Sequence, residues 1–350
     1  VTADVPTSGA GPLEGLDLDA LDRHLRGEGI ARTGELRGEL IAGGRSNLTF
    51  LVVDDASKWV LRRPPLHGLT PSAHDMAREY RVVAALSDTA VPVARAVTMS
   101  NDESVLGAPF QMVEHVEGRV VRTAGELEAL GDRALLDQCV TALIQALADL
   151  HAVDPAAVGL ADFGKPDGYL ERQVRRWGSQ WELVRLEDDP RDADVARLHQ
   201  ALGAAVPSQS RASIVHGDYR IDNTILDATD ATTVRAVLDW EMSTLGDPLS
   251  DAALMCVYRH PTFNYVHNEA AWASPLLPTA DEMAERYATI SGQPLANWSF
   301  YMALAYFKLA IIAAGIDYRS RMGAAGPDNV GEAVAPLITA GLEALTTEGW

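Results

Sequence analysis

The sequence predicts an α+β fold, with strand-type segments gathered in the first third of the chain and helical patterns filling most of the rest. Three observations carry this expectation. Aliphatic, β-branched runs surround a Gly43-Gly44 turn and recur at Lys58 to Arg63 and Pro109 to Gly118. Leu127 to Val153 places apolar residues three and four apart, as a helix does. A short acidic loop, His216 to Asn223, lies among strand-like pieces at Ser213 to Val215 and Val234 to Leu238.

Taken in chain order, Val1 to Gly15 is rich in Gly, Pro and Thr and has neither a basic start nor an apolar run, so it reads as a flexible tail and not as a signal peptide. Ile41 to Phe50 sets Gly43, Gly44, Ser46 and Asn47 between apolar segments, as a loop must if its backbone N–H groups are to approach phosphates; a plain hairpin has the same look. The strand from Lys58 ends in Arg62 and Arg63, and Lys58 shares a face with Arg62. A helix is expected over Ser72 to Leu86, with Met76, Tyr80, Val83 and Leu86 as its apolar stripe. Glu79 sits beside that stripe, placed either to reach Arg62 or to pair with Arg78 or Arg81 at the surface.

Further on, Pro155 stops the helix that begins at Leu127. The segment Gly168 to Trp181 is helical in pattern, with Arg172, Arg175 and Arg176 forming a basic stripe interleaved with Tyr169, Trp177 and Trp181. Such a stripe could hold an anionic molecule, though buried aromatics and solvated arginines would give the same pattern. Phe300 to Ile316 is the longest apolar stretch; Lys308 and several small residues within it suit a buried helix better than a bilayer span.

Chemistry concentrates in the acidic loop. Transfer of a γ-phosphoryl group needs a carboxylate that orients the acceptor and oxygen ligands for Mg²⁺ close by. Asp218 supplies the first, and four intervening residues bring the Asn223 carboxamide back toward the metal. A following strand delivers Asp239 as the charged ligand. Asp247 and Asp251 precede or open a helix, where capping of backbone N–H groups or bracing of the loop explains them. Asp247 is expected either to cap or to brace and Asp251 to lie near the helix start, both in supporting roles.

His216 to Leu226 and Val237 to Ala253 resemble the aminoglycoside phosphotransferase and choline kinase-like superfamily, in the branch related to the kinase-like domain fused to some acyl-CoA dehydrogenases. The likeness runs from about Leu36 to the C-terminus. It implies a bilobal protein-kinase-like fold, with residues 16–113 as the nucleotide-binding N-lobe, 114–118 as the hinge and 119–350 as a mainly helical C-lobe. It further implies ATP and Mg²⁺ as cofactors, adenine contacts from the main chains of Glu114 and Val116 with Met112 next to the ring, and phosphate contacts from the cation at Arg62, held by Glu79. Protein kinases carry lysine at that position; a guanidinium binds phosphate as a fork and an ammonium as a point charge. Asp162-Phe163-Gly164 spells a metal-binding tripeptide of protein kinases, but it precedes the catalytic loop and is read as a loop, with Asp239 in the proper order. In related enzymes the histidine equivalent to His216 serves the loop's architecture.

Composition agrees. In 350 residues, 47% hydrophobic content provides sizeable cores, and a formal charge of −20 argues against nucleic acid or an anionic membrane as a partner. The two cysteines, Cys139 and Cys256, fall in apolar helical contexts without metal-ligand spacing, as expected of a cytoplasmic protein. The expected function is therefore phosphoryl transfer from ATP to a hydroxyl of a small molecule, with hydroxyacyl-CoA thioesters, aminoglycosides and amino alcohols as acceptor classes. A catalytically silent nucleotide-binding scaffold and a metal-dependent hydrolase are the competing readings.

Overall fold

In a computed structural model of the chain, the described residues are 13–42, 47–66, 75–323 and 329–346. Gly43, Gly44 and Ser46, most of the N-terminal segment and the Ser72 to His74 start of the expected helix lie outside them. The chain divides into two compact units, one running to Arg119 and including Arg235–Glu241, the other formed by Val120–Val234 and Met242 onward.

The first unit is a five-stranded antiparallel sheet in the order β1-β2-β3-β5-β4. Its strands are β1 (Arg37–Ala42), β2 (Leu48–Val53), β3 (Lys58–Arg63), β4 (Ala96–Ser100) and β5 (Phe110–Glu114). Period-two alternation decides its faces. Leu61, Trp59, Phe50, Phe110 and Met112 point into one core, which Leu21 and Leu25 of α1 (Leu18–Gly27) help to close. Leu13 to Leu16 belong to this core's edge, not to a free tail: Leu16 N–H donates to Leu13 O (3.0 Å), and Arg63 donates to Gly15 O (2.9 Å).

The helix α2 (Met76–Leu86) starts at Asp75, whose carboxylate accepts the Arg78 N–H (2.9 Å). Its buried side is Met76, Glu79, Val82, Val83 and Leu86, so Tyr80 is displaced from the expected stripe to a half-exposed position and the charged Glu79 takes the inner one. A short α3 (Glu103–Leu106) precedes β5.

In the second unit the expected 127–153 helix is two: α4 (Ala124–Glu128) and α5 (Arg133–Ala152). The chain breaks at Gly131, whose φ is +156°, and Asp132 then caps α5. Next come α6 (Tyr169–Val184) and α7 (Asp192–Ala204), and the short strands β6 (Ser213–Val215) and β7 (Thr224–Leu226). Strand β8 (Val234–Val237) leads into the first unit's Arg235–Glu241 segment. Back in the second unit, β9 (Thr244–Gly246) pairs antiparallel with β6. Helices α8 (Pro248–Val257), α9 (Phe263–Val266), α10 (Ala280–Ser291), α11 (Trp298–Arg321) and α12 (Val334–Thr346) complete it.

Helix α11 is long and apolar enough to cross a membrane, but 72% of its most apolar window is buried against α6, α8 and α12. It is the core helix that the apolar stretch predicted.

Candidate active site

Strand β6 delivers His216 into a turn that the rest of the second unit holds by its backbone. Gly217 adopts φ +86°, and an added Cβ would lie 2.9 Å from the Met242 carbonyl oxygen, so both conformation and space require glycine. The Asp251 carboxylate, on α8, takes the N–H of His216 (2.6 Å) on one oxygen and that of Gly217 (2.8 Å) on the other. His151 Nε2 stands 3.3 Å from the same carboxylate and Nδ1 2.7 Å from the Tyr287 hydroxyl. Burial would raise Asp251, yet the bonds from His151 and the His216 N–H, with the fields of both imidazoles, hold its pKa below the ordinary carboxylate value. From α11, Lys308 Nζ donates to Gly217 O (2.8 Å).

Of the two roles open to Asp247, capping is the one it takes: it caps α8 and binds Ser210 and Tyr301, while Asp251, expected near the helix start, is the one that braces the turn. His216 acts in the architecture as expected, its Nδ1 accepting the Asp218 N–H (3.2 Å).

The Asp218 side chain, 26% exposed, is enclosed on three sides. Its Oδ1 accepts from the Tyr258 hydroxyl, and Arg220 Nε lies 3.3 Å away. Its Oδ2 accepts from Asn223 Nδ2 (3.1 Å) and, at a longer 3.4 Å, from Arg220. Arg220 is nearly buried, also pairs with Asp222 (2.7 Å) and lies over the rings of Tyr258 and Phe263. Although burial alone would depress it, the fields of Asp218 and Asp222 raise its pKa. Asn223, in a turn of 3-10 helix, gives its Nδ2 to the Asp218 carbonyl (2.8 Å) and carboxylate, which leaves the carboxamide oxygen for another partner.

The first unit contains the other group. Arg62 donates to Glu79 Oε2 (2.8 Å), which also accepts from Gln111 Nε2 (2.8 Å). Burial raises Glu79, against the lowering field of Arg62. Asp239, whose field adds to that rise, sits at φ +62°, a left-handed conformation rare outside glycine and asparagine and a recurrent feature of functional positions. Lys58 is drawn away to Glu117 (2.7 Å), so of the two basic residues on this face of β3 it is Arg62 that meets Glu79.

Register corrects one expectation here. Arg62 lies opposite Gln111 and Leu61 opposite Met112, so Gln111 shares the Arg62 face, and Met112 is fully buried in the core on the other. Glu114 gives its N–H to Arg95 O (2.8 Å), and its side chain is exposed; Val116 follows the strand end. Asn47 is buried just before β2.

The basic stripe disperses. Arg172 is taken by the carbonyls of Lys165 and Asp167, Arg175 is exposed, and Arg176 lies 5.4 Å from the Trp177 ring centroid on the outer side. Of the stripe, the aromatic Tyr169 and Trp177 and none of the three arginines line the adjoining cavity, about 340 Å³ including its mouth, with Gln173, Gly217 and Lys308. The cation there is Lys308, 5.7 Å from the Trp177 centroid, with its pKa depressed by burial against the raising fields of Asp218 and Asp251. Asp162-Phe163-Gly164 is a loop whose Phe163 is core and whose Gly164 lets Thr244 and Leu245 approach.

Sequence reasoning did not reach Arg220, Tyr258, Gln111 or the bracing role of Asp251. The one available signal was spacing: Tyr258 follows Asp251 by two helical turns, on the same face of α8.

A small antiparallel sheet with its helix, a largely helical second unit and an Asp218-Asn223 loop define a kinase-like phosphotransferase fold. The family model described as "phosphotransferase enzyme family" matches residues 37–290, and the chain belongs to that family, a small-molecule kinase. Acyl-CoA dehydrogenase family member 10 of Mus musculus is 36% identical over 88% of this chain and 29% of its own length. The chain spans less than half the length of the curated relatives it matches. The crystal structure of a provisionally named aminoglycoside phosphotransferase from Ralstonia eutropha is 32% identical, with a TM-score of 0.80, covering 94% of this chain and 98% of that one. A thermostable mutant of aminoglycoside phosphotransferase APH(4)-Ia, in complex with ADP and hygromycin B, shares the fold at 14% identity, with a TM-score of 0.62 and coverage of 93% and 98%.

Proposed function

We propose that the chain transfers the γ-phosphoryl group of ATP to a hydroxyl of a small molecule in a Mg²⁺-dependent, in-line reaction. The observation that carries this reading is the Asp218 carboxylate, fixed by Tyr258, Arg220 and Asn223 on a turn whose backbone is itself braced by Asp251. The ADP complex of the APH(4)-Ia relative supports nucleotide use.

In this reading Asp218 orients the acceptor hydroxyl and takes its proton as the acceptor oxygen bonds to the γ-phosphorus. The bond to the β-bridging oxygen breaks and ADP leaves. Arg62, preset by Glu79 and Gln111, neutralises phosphate charge. Gly43, Gly44, Ser46 and Asn47 cover the phosphates, and the Glu114 carbonyl and Val116 N–H read the adenine edge. Residues 16–113 serve as the nucleotide-binding lobe, 114–118 as the hinge and 119–350 as the catalytic and acceptor lobe.

Mg²⁺ fits the donors present. It prefers a few hard oxygen ligands supplemented by phosphates and water. In this reading the Asn223 carboxamide oxygen and the Asp239 carboxylate would supply such ligands. Among the described residues no group of three His, Cys, Asp or Glu forms a metal cage of its own, which this mode of binding does not need. The ion would offset charge on the phosphates.

For the acceptor, the likeness to an acyl-CoA dehydrogenase family member favours a hydroxyl-bearing acyl-CoA over an aminoglycoside or an amino alcohol. The buried, unbridged Cys139 and Cys256 accord with a cytoplasmic setting. The test is ADP production from Mg²⁺–ATP over a panel of these acceptors. Acceptor-dependent turnover is expected, abolished in Asp218→Ala and Asp239→Ala, whose nucleotide-independent melting temperatures stay near the parent's. Full activity in Asp239→Ala would refute the metal assignment, and nucleotide binding without turnover would favour the silent scaffold.

A further inference from the structure

The catalytic carboxylate is held by a residue that no motif marks. Tyr258 closes α8 at its C-terminal end, two turns after Asp251. One helix thus grips the turn twice, by the backbone N–H groups of His216 and Gly217 through Asp251 and by the Asp218 side chain through Tyr258. The Tyr258 ring is itself immobilised. It is 3% exposed, its centroid lies 4.7 Å from that of Phe263, and Arg220 covers it at 5.6 Å. Burial, and then the neighbouring Asp218 charge, raise the phenol pKa well above its ordinary value. The hydroxyl therefore keeps its proton and acts as a fixed donor.

Both oxygens of Asp218 are anchored: Oδ2 accepts from Asn223 Nδ2 (3.1 Å) and, at a long 3.4 Å, from Arg220, and Oδ1 accepts from the Tyr258 hydroxyl. Arg220 Nε lies 3.3 Å from Oδ1 as an ion pair without hydrogen-bond geometry, so the Tyr258 hydroxyl is the donor that fixes this oxygen.

We propose that Tyr258 is a positioning residue for phosphoryl transfer. It locks Asp218 through Oδ1 and so holds the carboxylate in the one rotamer that meets the acceptor's hydroxyl. This rests on the kinase reading above for its catalytic consequence, and on the geometry alone for the locking.

Tyr258→Phe removes the hydroxyl and keeps the ring against Phe263 and Arg220. In the crystal structure of the full-chain variant, the Asp218 carboxylate is expected to rotate about its side-chain torsion or to spread over two rotamers. An unmoved, singly ordered carboxylate would overturn the locking. In the kinetics kcat should fall about ten- to a hundredfold, the effect of one charge-assisted hydrogen bond expressed in the transition state. KM for ATP and acceptor should change by less than about threefold, as for an interaction specific to the transition state. An unchanged kcat with a displaced carboxylate would overturn the catalytic part. A rise in KM matched by a fall in melting temperature would make Tyr258 merely structural. If the parent enzyme turns over no acceptor, the kinase reading fails, and the crystallographic result still decides whether Tyr258 holds Asp218. Should Tyr258→Phe not fold, Tyr258→His, which can keep a donor, is expected to retain the Asp218 rotamer where Tyr258→Leu loses it; the same rotamer in both refutes the proposal.

Discussion

Asp251 provides the sharpest test of how the turn from His216 to Asp218 is built. Asp251→Ala removes the acceptor for two backbone N–H groups, that of His216, fully buried at 2.6 Å, and that of Gly217, partly buried at 2.8 Å. A buried donor left without a partner costs about 1–3 kcal/mol. The His216 N–H belongs at the upper end of that range, and the Gly217 N–H, which water can reach, at the lower. The expected loss is therefore about 4 kcal/mol, a large part of the roughly 5–15 kcal/mol that keeps a domain folded. Asp251→Asn keeps the shape but offers one acceptor and turns an amide N–H toward the second donor, so about 2 kcal/mol should go. Urea denaturation of both variants reads the stability, and acceptor-dependent ADP release reads the turn, with kcat falling more than KM rises because Asp218 is displaced. Loss of less than about 0.5 kcal/mol in Asp251→Ala, with kcat intact, would refute the view that this carboxylate holds the turn.

Two further outcomes follow from other contacts. Arg62→Met should weaken nucleotide binding at least about tenfold and leave Glu79 buried without its cation, whereas Arg62→Lys should recover part of the affinity; nucleotide-dependent thermal shifts measure both, and equal shifts in all three proteins would contradict the assignment. Asp189, with its side chain buried against Arg191, is held at about 2 by hydrogen bonds from Arg191, against burial, from an ordinary 3.8. A depressed folded-state value means the stabilisation is present above pH 3.8 and disappears as pH falls toward 2, an effect of about 2 kcal/mol. Denaturation curves of the parent and Asp189→Asn should therefore converge across that window, and parallel curves would show that the pair contributes nothing.

The sequence by itself determined a good deal: the α+β class, the helices α2, α6 and α11, and the family. These rest on local signals, namely apolar periodicity, Gly and Pro punctuation and fixed spacing within one loop, all present in a linear chain. The break at Gly131 was written there too, but its cost was outweighed by the apolar spacing that runs across it. Tertiary structure alone decided which partners the functional groups meet. Whether Gln111 or Met112 faces Arg62 depends on strand register, and a slip of one residue exchanges them. Arg172 turned to nearby carbonyls because the loop before α6 brings those of Lys165 and Asp167 within its reach, which its position on the helix does not reveal. That Asp251, Tyr258 and Lys308 converge on the turn at Gly217 and Asp218 depends on how α8 and α11 pack, and packing is set by the whole core and not by spacing along the chain.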